Sequence, residues 1–197
     1  MTIPMRSGVP FFLAVLALFA SGTGERAAGA GASSDGEKPA PPVPVGSVDL
    51  NRYAGLWHEI ARIPNRFQKQ CASDDITAYY ELRDDGRLTV INRCVDAEGR
   101  VREVRGVAKI VDPASNARLK VSFVSFLGIR PFWGDYWVLG LGDDYEYVVV
   151  GTPDRKYGWI LARAADPGAA TIESAKQVLK NQGYDVARFQ FHGTAAS

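Results

Sequence analysis

The chain has 197 residues, 23 Lys+Arg against 22 Asp+Glu, and a formal net charge of +1. That length suits one domain with appendages, and the balanced charge leaves no basic stripe of the kind that binds nucleic acid. Hydrophobic residues at 46% are enough for a core, and 20 glycines with 11% aromatic residues fit a β-rich fold.

Arg6 precedes an apolar run over residues 9–20, followed by small residues. Residues 1–30 therefore read as a secretory signal peptide, with cleavage after Gly22 or after Ala30 both open. The apolar run is too short to span a bilayer comfortably. No cysteine follows it closely, the first being Cys71. The mature protein is thus expected to be soluble and exported, and not lipid-anchored. Residues 31–47 are rich in Gly, Ala and Pro and read as a linker from which no core is built. The folded domain is expected over 48–192, with a tail at 193–197.

From residue 48 onward, short alternating segments are separated by turn signals. Strand one covers 56–63, with Trp57, Glu59, Ala61 and Ile63 on one face and His58, Ile60 and Arg62 on the other. A loop over 64–74 leads to strand two at 75–83. Asp84-Asp85-Gly86 is a hairpin turn, and strand three follows at 87–95. Strands four and five are expected at 102–111 and 117–124. A loop over 126–133 carries large apolar residues. Strands six, seven and eight are expected at 135–141, 145–151 and 157–163. Eight strands in series, joined mostly by hairpin-length loops, imply an all-β, antiparallel up-and-down barrel without exposed edges. Apolar residues at helical spacing then predict one external helix over 171–182, with Thr171 as N-cap and Gly183 as stop. A short strand at 188–191 ends the domain.

Three motifs carry a resemblance. Gly55-Leu56-Trp57, the acidic-aromatic turn Asp143-Asp144-Tyr145-Glu146-Tyr147, and Arg163 after strand eight resemble the three motifs of the lipocalins. The stretch from Gly151-Thr152-Pro153-Asp154 to Trp159-Ile160-Leu161 is similar to the bacterial envelope subgroup. The resemblance implies that Gly55, Trp57 and Arg163 close one end of the barrel, Trp57 as a plug and Arg163 over it by cation–π contact. The other end is then a mouth formed by the loops at 64–74, 96–100, 125–134 and 152–156.

A barrel of this size can hold one small ligand. Alternation nominates the lining residues as Ala61, Ile76, Ala78, Tyr80, Val90, Asn92, Gly106, Ala108, Val121, Phe123, Tyr136, Val138, Val148, Val150, Tyr157 and Trp159. That set is mostly apolar with a few polar tips, as in sites for lipid-like molecules, and the small residues Ala78, Gly106 and Ala108 leave volume. The alternative is that these side chains fill a closed core. The resemblance implies a fatty acid or lysophospholipid, carried or stored in the cell envelope to support membrane maintenance.

An enzyme is not expected. The chain has only two histidines, His58 and His192, so a three-histidine zinc site is impossible, and no metal or cofactor is called for. The competing reading is a barrel enzyme using Cys94 or an inward Glu59 on a lipophilic substrate. A buried carboxylate is more often satisfied by an arginine or tyrosine. The apolar loop 126–133 suggests peripheral membrane contact, and a monomer and a homodimer both remain open. Finally, Cys71 and Cys94 are the two cysteines of a chain addressed to an oxidising compartment, which predicts a disulfide. If Arg83 pairs with Arg87, Cys94 falls opposite Ile76, and the 64–74 loop must fold back to bring Cys71 there. Two free thiols are the alternative.

Overall fold

The computed structural model describes residues 39–72 and 75–193. The expected signal peptide, the first part of the linker and all but the first residue of the tail lie outside the described residues. A short helix, α1 (Leu50–Tyr53), precedes eight strands: β1 (Gly55–Arg62), β2 (Thr77–Leu82), β3 (Leu88–Val95), β4 (Val101–Ile110), β5 (Arg118–Ser122), β6 (Gly134–Leu141), β7 (Tyr147–Gly151) and β8 (Gly158–Ala162). Each strand pairs antiparallel with the next, β8 pairs with β1, and β1 also pairs with β2, so the sheet closes into a barrel. The β2–β3 hairpin has the expected register, with Arg83 N–H on Arg87 O at 2.8 Å and Gly86 at φ +73° in the turn. Alternate loops fall at alternate ends. Residues 63–72, 75–76, 96–100, 123–133 and 152–157 surround the mouth. α1 and residues 83–87, 111–117 and 142–146 surround the closed end.

Strict alternation fails at two bulges. β1 pairs Glu59 with Leu161 and then Ala61 with Ile160, which makes Ile60 an extra residue. Ala61 therefore turns outward, into the layer beneath the helix, and Arg62, opposite Trp159, turns inward. This corrects the expected inward place of Ala61 and the outward place of Arg62. In β6, Val138 pairs with Val150 and Gly140 with Val149, so Leu139 is the extra residue and packs outward.

Apolar residues form two layers. One lies inside the barrel around Trp57, and the other joins its outer face to α2 (Ala169–Asn181) through Ile172, Ala175 and Leu179. A Cβ on Gly140 would lie 2.6 Å from Val178 Cγ1, so this glycine lets the helix approach. The N-cap of α2 is Gly168, at φ +78°, and not Thr171. Gly183 ends the helix at φ +75°: its N–H donates to Lys180 O, and Tyr184 N–H donates to Leu179 O. That double closure is a Schellman motif. β9 (Gln190–Phe191) pairs antiparallel with β1 where β1 outruns β2.

The Pro-rich segment departs from its expected role as a free linker. From Pro39 it lies on the barrel and helix. Val43 exchanges two 2.8 Å hydrogen bonds with the Gln182 amide, and Val45 N–H donates to Val138 O at 2.9 Å. Pro42 is buried. The segment is held by the Gln182 side chain, by Arg155 Nη2 donating to Ala40 O, and by the Val138 carbonyl of β6.

Candidate functional site: the barrel interior and its mouth

At the closed end, Trp57 is fully buried and its Nε1 donates to Tyr53 O at 2.8 Å. Arg163 places its guanidinium carbon 3.8 Å from the Trp57 ring centroid. The same guanidinium donates to the carbonyls of Leu56, Arg52, Tyr53 and Ala54. Gly55 takes φ +98° and passes under Arg163, where a Cβ would lie 3.4 Å from Nη1. The 142–146 turn is tied to the same corner: Arg163 N–H donates to Glu146 O, Asp49 N–H to Tyr145 Oη, and Arg52 stacks on Tyr145. The three sequence motifs are thus one physical unit.

Above Trp57 the Tyr136 hydroxyl bonds those of Tyr53, at 2.6 Å, and Tyr80, at 2.8 Å. Each buried hydroxyl has a partner, as burial demands. Burial raises Tyr80 to about 12 and lifts Tyr53 and Tyr136 well above the usual tyrosine value, so all three stay neutral at physiological pH. Sequence reasoning missed Tyr53, which α1 positions; Asp49 caps that helix, its carboxylate accepting from Asn51 N and Arg52 N.

Toward the mouth lies a buried polar network. Glu59 Oε1 accepts from Arg62 Nη1 at 2.6 Å and lies 3.1 Å from His192 Nε2. Glu59 Oε2 accepts from Gln68 Nε2 at 2.7 Å, and Gln68 Oε1 accepts from Trp159 Nε1 and from Asn65 Nδ2. Sequence reasoning placed Glu59 inward but missed Arg62, Gln68 and His192. The β1 bulge hid Arg62, and Gln68 and His192 lie outside the eight strands. Two side-chain atoms of the described residues are buried without a hydrogen-bond partner: Arg62 Nε and Asn92 Oδ1.

The disulfide joins Cys71 to Cys94, with Cα atoms 5.5 Å apart. Ala72 N–H donates to Val95 O, so the loop does fold back onto β3. Beside it, burial opposes ionisation of Asp96, but N–H donors from Arg100, Arg102 and Glu98 outweigh it and hold the carboxyl down at about 2. The rim also carries an apolar hairpin. Phe126 and Ile129 exchange two 2.9 Å backbone hydrogen bonds across Leu127 and Gly128, both at positive φ. Phe126, Leu127, Ile129 and Phe132 are 68–85% exposed.

Ala78, Tyr80, Val90, Ala108, Tyr136, Val138, Val148 and Val150 all lie in the interior layer around Trp57, with Val121 and Trp159 partly buried against it. Ile76 is buried, and its carbonyl accepts from Glu59 N–H. Asn92 sits between Ala78 and Val104. Gly106 leaves no free volume: a Cβ there would lie 2.6 Å from the Phe123 ring, which rests on it. Tyr157 stacks on Trp159 at 6.2 Å and meets Phe67 at 5.7 Å, forming an aromatic wall at the mouth. Among the described residues no group of three His, Cys, Asp or Glu side chains is placed to hold a metal ion.

A family model described as a lipocalin-like domain matches residues 48–193. Temperature-induced lipocalin-1 of Arabidopsis thaliana is 38% identical over 147 residues, which cover 73% of this chain and 78% of the relative. The outer membrane lipoprotein Blc of Escherichia coli strain K12 is 37% identical over 146 residues, covering 74% and 78%. Among solved structures, insecticyanin from the tobacco hornworm Manduca sexta matches with a TM-score of 0.63 and 26% identity, over 82% of this chain and 89% of that one.

Proposed function

The chain belongs to the lipocalin family, and from that premise we propose that its barrel binds one fatty acid or lysophospholipid through the mouth and carries or stores it in the cell envelope. The family supports binding of small hydrophobic ligands in general. The observation that carries the finer reading is the change in packing along the barrel. Inward residues near the plug, such as Trp57, Val138 and Val148, have no exposed surface. Inward residues nearer the mouth do: Val104 is 45% and Phe123 37% exposed, and Trp159 is partly open. The ligand's place is therefore the upper half, between the aromatic wall of Tyr157 and Trp159 and the opposite wall of Val104 and Phe123. An apolar wall with a few polar groups suits an acyl chain with a polar head.

The envelope setting rests on the signal-like N-terminus and on the relative named as an outer membrane lipoprotein. Export without a lipid anchor remains part of the proposal. A binding role is favoured over catalysis because Cys94 is spent in the disulfide and both Glu59 oxygens are occupied. Native mass spectrometry of protein purified from the envelope that produces it, with extraction of the lipid, tests the reading. One lipid per chain is expected; protein that emerges without lipid and takes none up contradicts it.

The exposed hairpin supports a second, compatible role. Its backbone is hydrogen-bonded, so the apolar tip is a built feature rather than a frayed loop, and it stands on the mouth. We propose that residues 126–133 rest on a membrane surface during ligand transfer. Flotation with liposomes is expected for the wild type and should be lost with Phe126→Ser and Phe132→Ser together. Equal flotation of both proteins contradicts it.

A further inference from the structure

The Arg62 side chain is only 9% exposed, and its nitrogens are used unequally. Nη1 meets Glu59 Oε1 at 2.6 Å and His192 Nε2 at 3.1 Å. The opposite edge, Nε with Nη2, makes no hydrogen bond among the described residues, and Nε is sealed from solvent. A buried cationic donor without a partner is costly, so its persistence needs a reason. That edge is one from which a guanidinium offers two parallel N–H groups to a carboxylate or phosphate.

The position fits such a role. The β1 bulge turns Arg62 inward, opposite Trp159, on the wall assigned above to the ligand. Glu59 accepts from Arg62 through Oε1 and from Gln68 through Oε2, so it fixes the guanidinium without competing for the free edge. Gln68 also ties this wall to the mouth loop through Trp159 Nε1.

We propose that Arg62 is a specificity-determining residue: its free edge receives the oxyanion of an amphipathic ligand, so the barrel selects anionic lipids over neutral ones of equal chain length. This rests on the lipid-binding reading. A buried water on Nε would satisfy the same atom and would give no such selectivity.

The test compares two probes with the same chain. Delipidated protein is titrated calorimetrically with lauric acid and with lauryl alcohol at mildly alkaline pH, where the free acid is ionised. The wild type is expected to bind the acid roughly tenfold or more tighter, the usual scale of a charge-assisted pair. In Arg62→Gln the acid's affinity should fall to that of the alcohol while the alcohol's stays the same. Arg62→Lys, which keeps the charge but not the fork, should restore only part of the preference. Inorganic phosphate alone should not bind; saturable phosphate binding lost in Arg62→Gln would reassign the site to a free anion and overturn the proposal. Equal affinities in the wild type, or an unchanged preference in Arg62→Gln, overturn it and leave the lipid-binding reading standing. Should Arg62→Gln not fold, the wild-type pair and Arg62→Lys still decide. Failure of both probes to bind sinks both readings.

Discussion

At the closed end Trp57 is held from every side: Arg163 covers its ring, Tyr53 accepts its N–H, and a tyrosine cluster with all hydroxyls paired packs above it. At the mouth the restraints are fewer and of another kind. One disulfide and a cluster of arginines around Asp96 pin the rim, while apolar side chains stand in solvent and Arg62 Nε stays unpaired. The contrast separates two tasks that a barrel must divide between its ends. Redundant bonding at one end holds the fold together, and unfinished bonding at the other is where the proposed ligand would bind.

The largest effect should come from the plug. Trp57→Ala is expected to destabilise by about 3–5 kcal/mol, as for other large aromatic-to-alanine changes in cores. An unchanged urea midpoint would show that the closed end does not carry the fold. At the mouth, replacing both Cys71 and Cys94 by Ser should cost roughly 3 kcal/mol through the loop-closure entropy of the unfolded chain. Thiol counting on unreduced, denatured wild type should find none free. Arg163→Met comes next. It removes a cation–π contact and several carbonyl partners, for about 2 kcal/mol by chemical denaturation; a loss as large as that of Trp57→Ala would mean that the cover and the plug act as one.

The two ends should also fail at opposite pH extremes. Tyr80 rises from 10.0 to about 12 in the folded state, so its contribution is complete below pH 10 and is lost as pH rises toward 12. Asp96 falls from 3.8 to about 2, so its contribution is complete above pH 3.8 and is lost as pH falls toward 2. Asp96→Asn should flatten the acid limb of a stability-against-pH curve and leave the alkaline limb alone. Tyr80→Phe should do the reverse. The smallest effect belongs to the hairpin: Phe126→Ser should change stability by less than about 0.5 kcal/mol, as for exposed sites that touch little.

Much of this contrast was legible in the residue order. Gly55-Leu56-Trp57, the 143–147 turn and Arg163 marked the closed end only together, through their resemblance to the three lipocalin motifs, since each alone is too short to carry that meaning. Alternation gave the hairpins because each strand shows one face to the interior. It failed where the backbone departs from a period of two. Nothing in Glu59-Ile60-Ala61-Arg62 announces a bulge, since Ile60 and Ala61 are both suited to the layer beneath the helix. That one extra residue moved Ala61 out of the lining and Arg62 into it. Gly106 misled for a related reason: smallness marks either free space or a close neighbour, and here Phe123 is the neighbour. The Pro-rich strap was missed because its partners, Gln182 and the Val138 carbonyl, are distant in sequence.

The claim that the mouth half takes one lipid while the closed half stays packed is tested most directly by titrating delipidated protein with a long-chain fatty acid and following tryptophan fluorescence. Saturable quenching at one ligand per chain is expected, with an affinity tighter than about 100 μM, or about −5.5 kcal/mol. Most of the signal should vanish in Trp159→Phe, because Trp57 lies sealed beneath the tyrosines, Trp137 packs in the outer layer and Trp133 is held on the rim by Lys109 and Arg130 O. No saturable binding by that concentration, or a quench that persists undiminished without Trp159, would contradict the account.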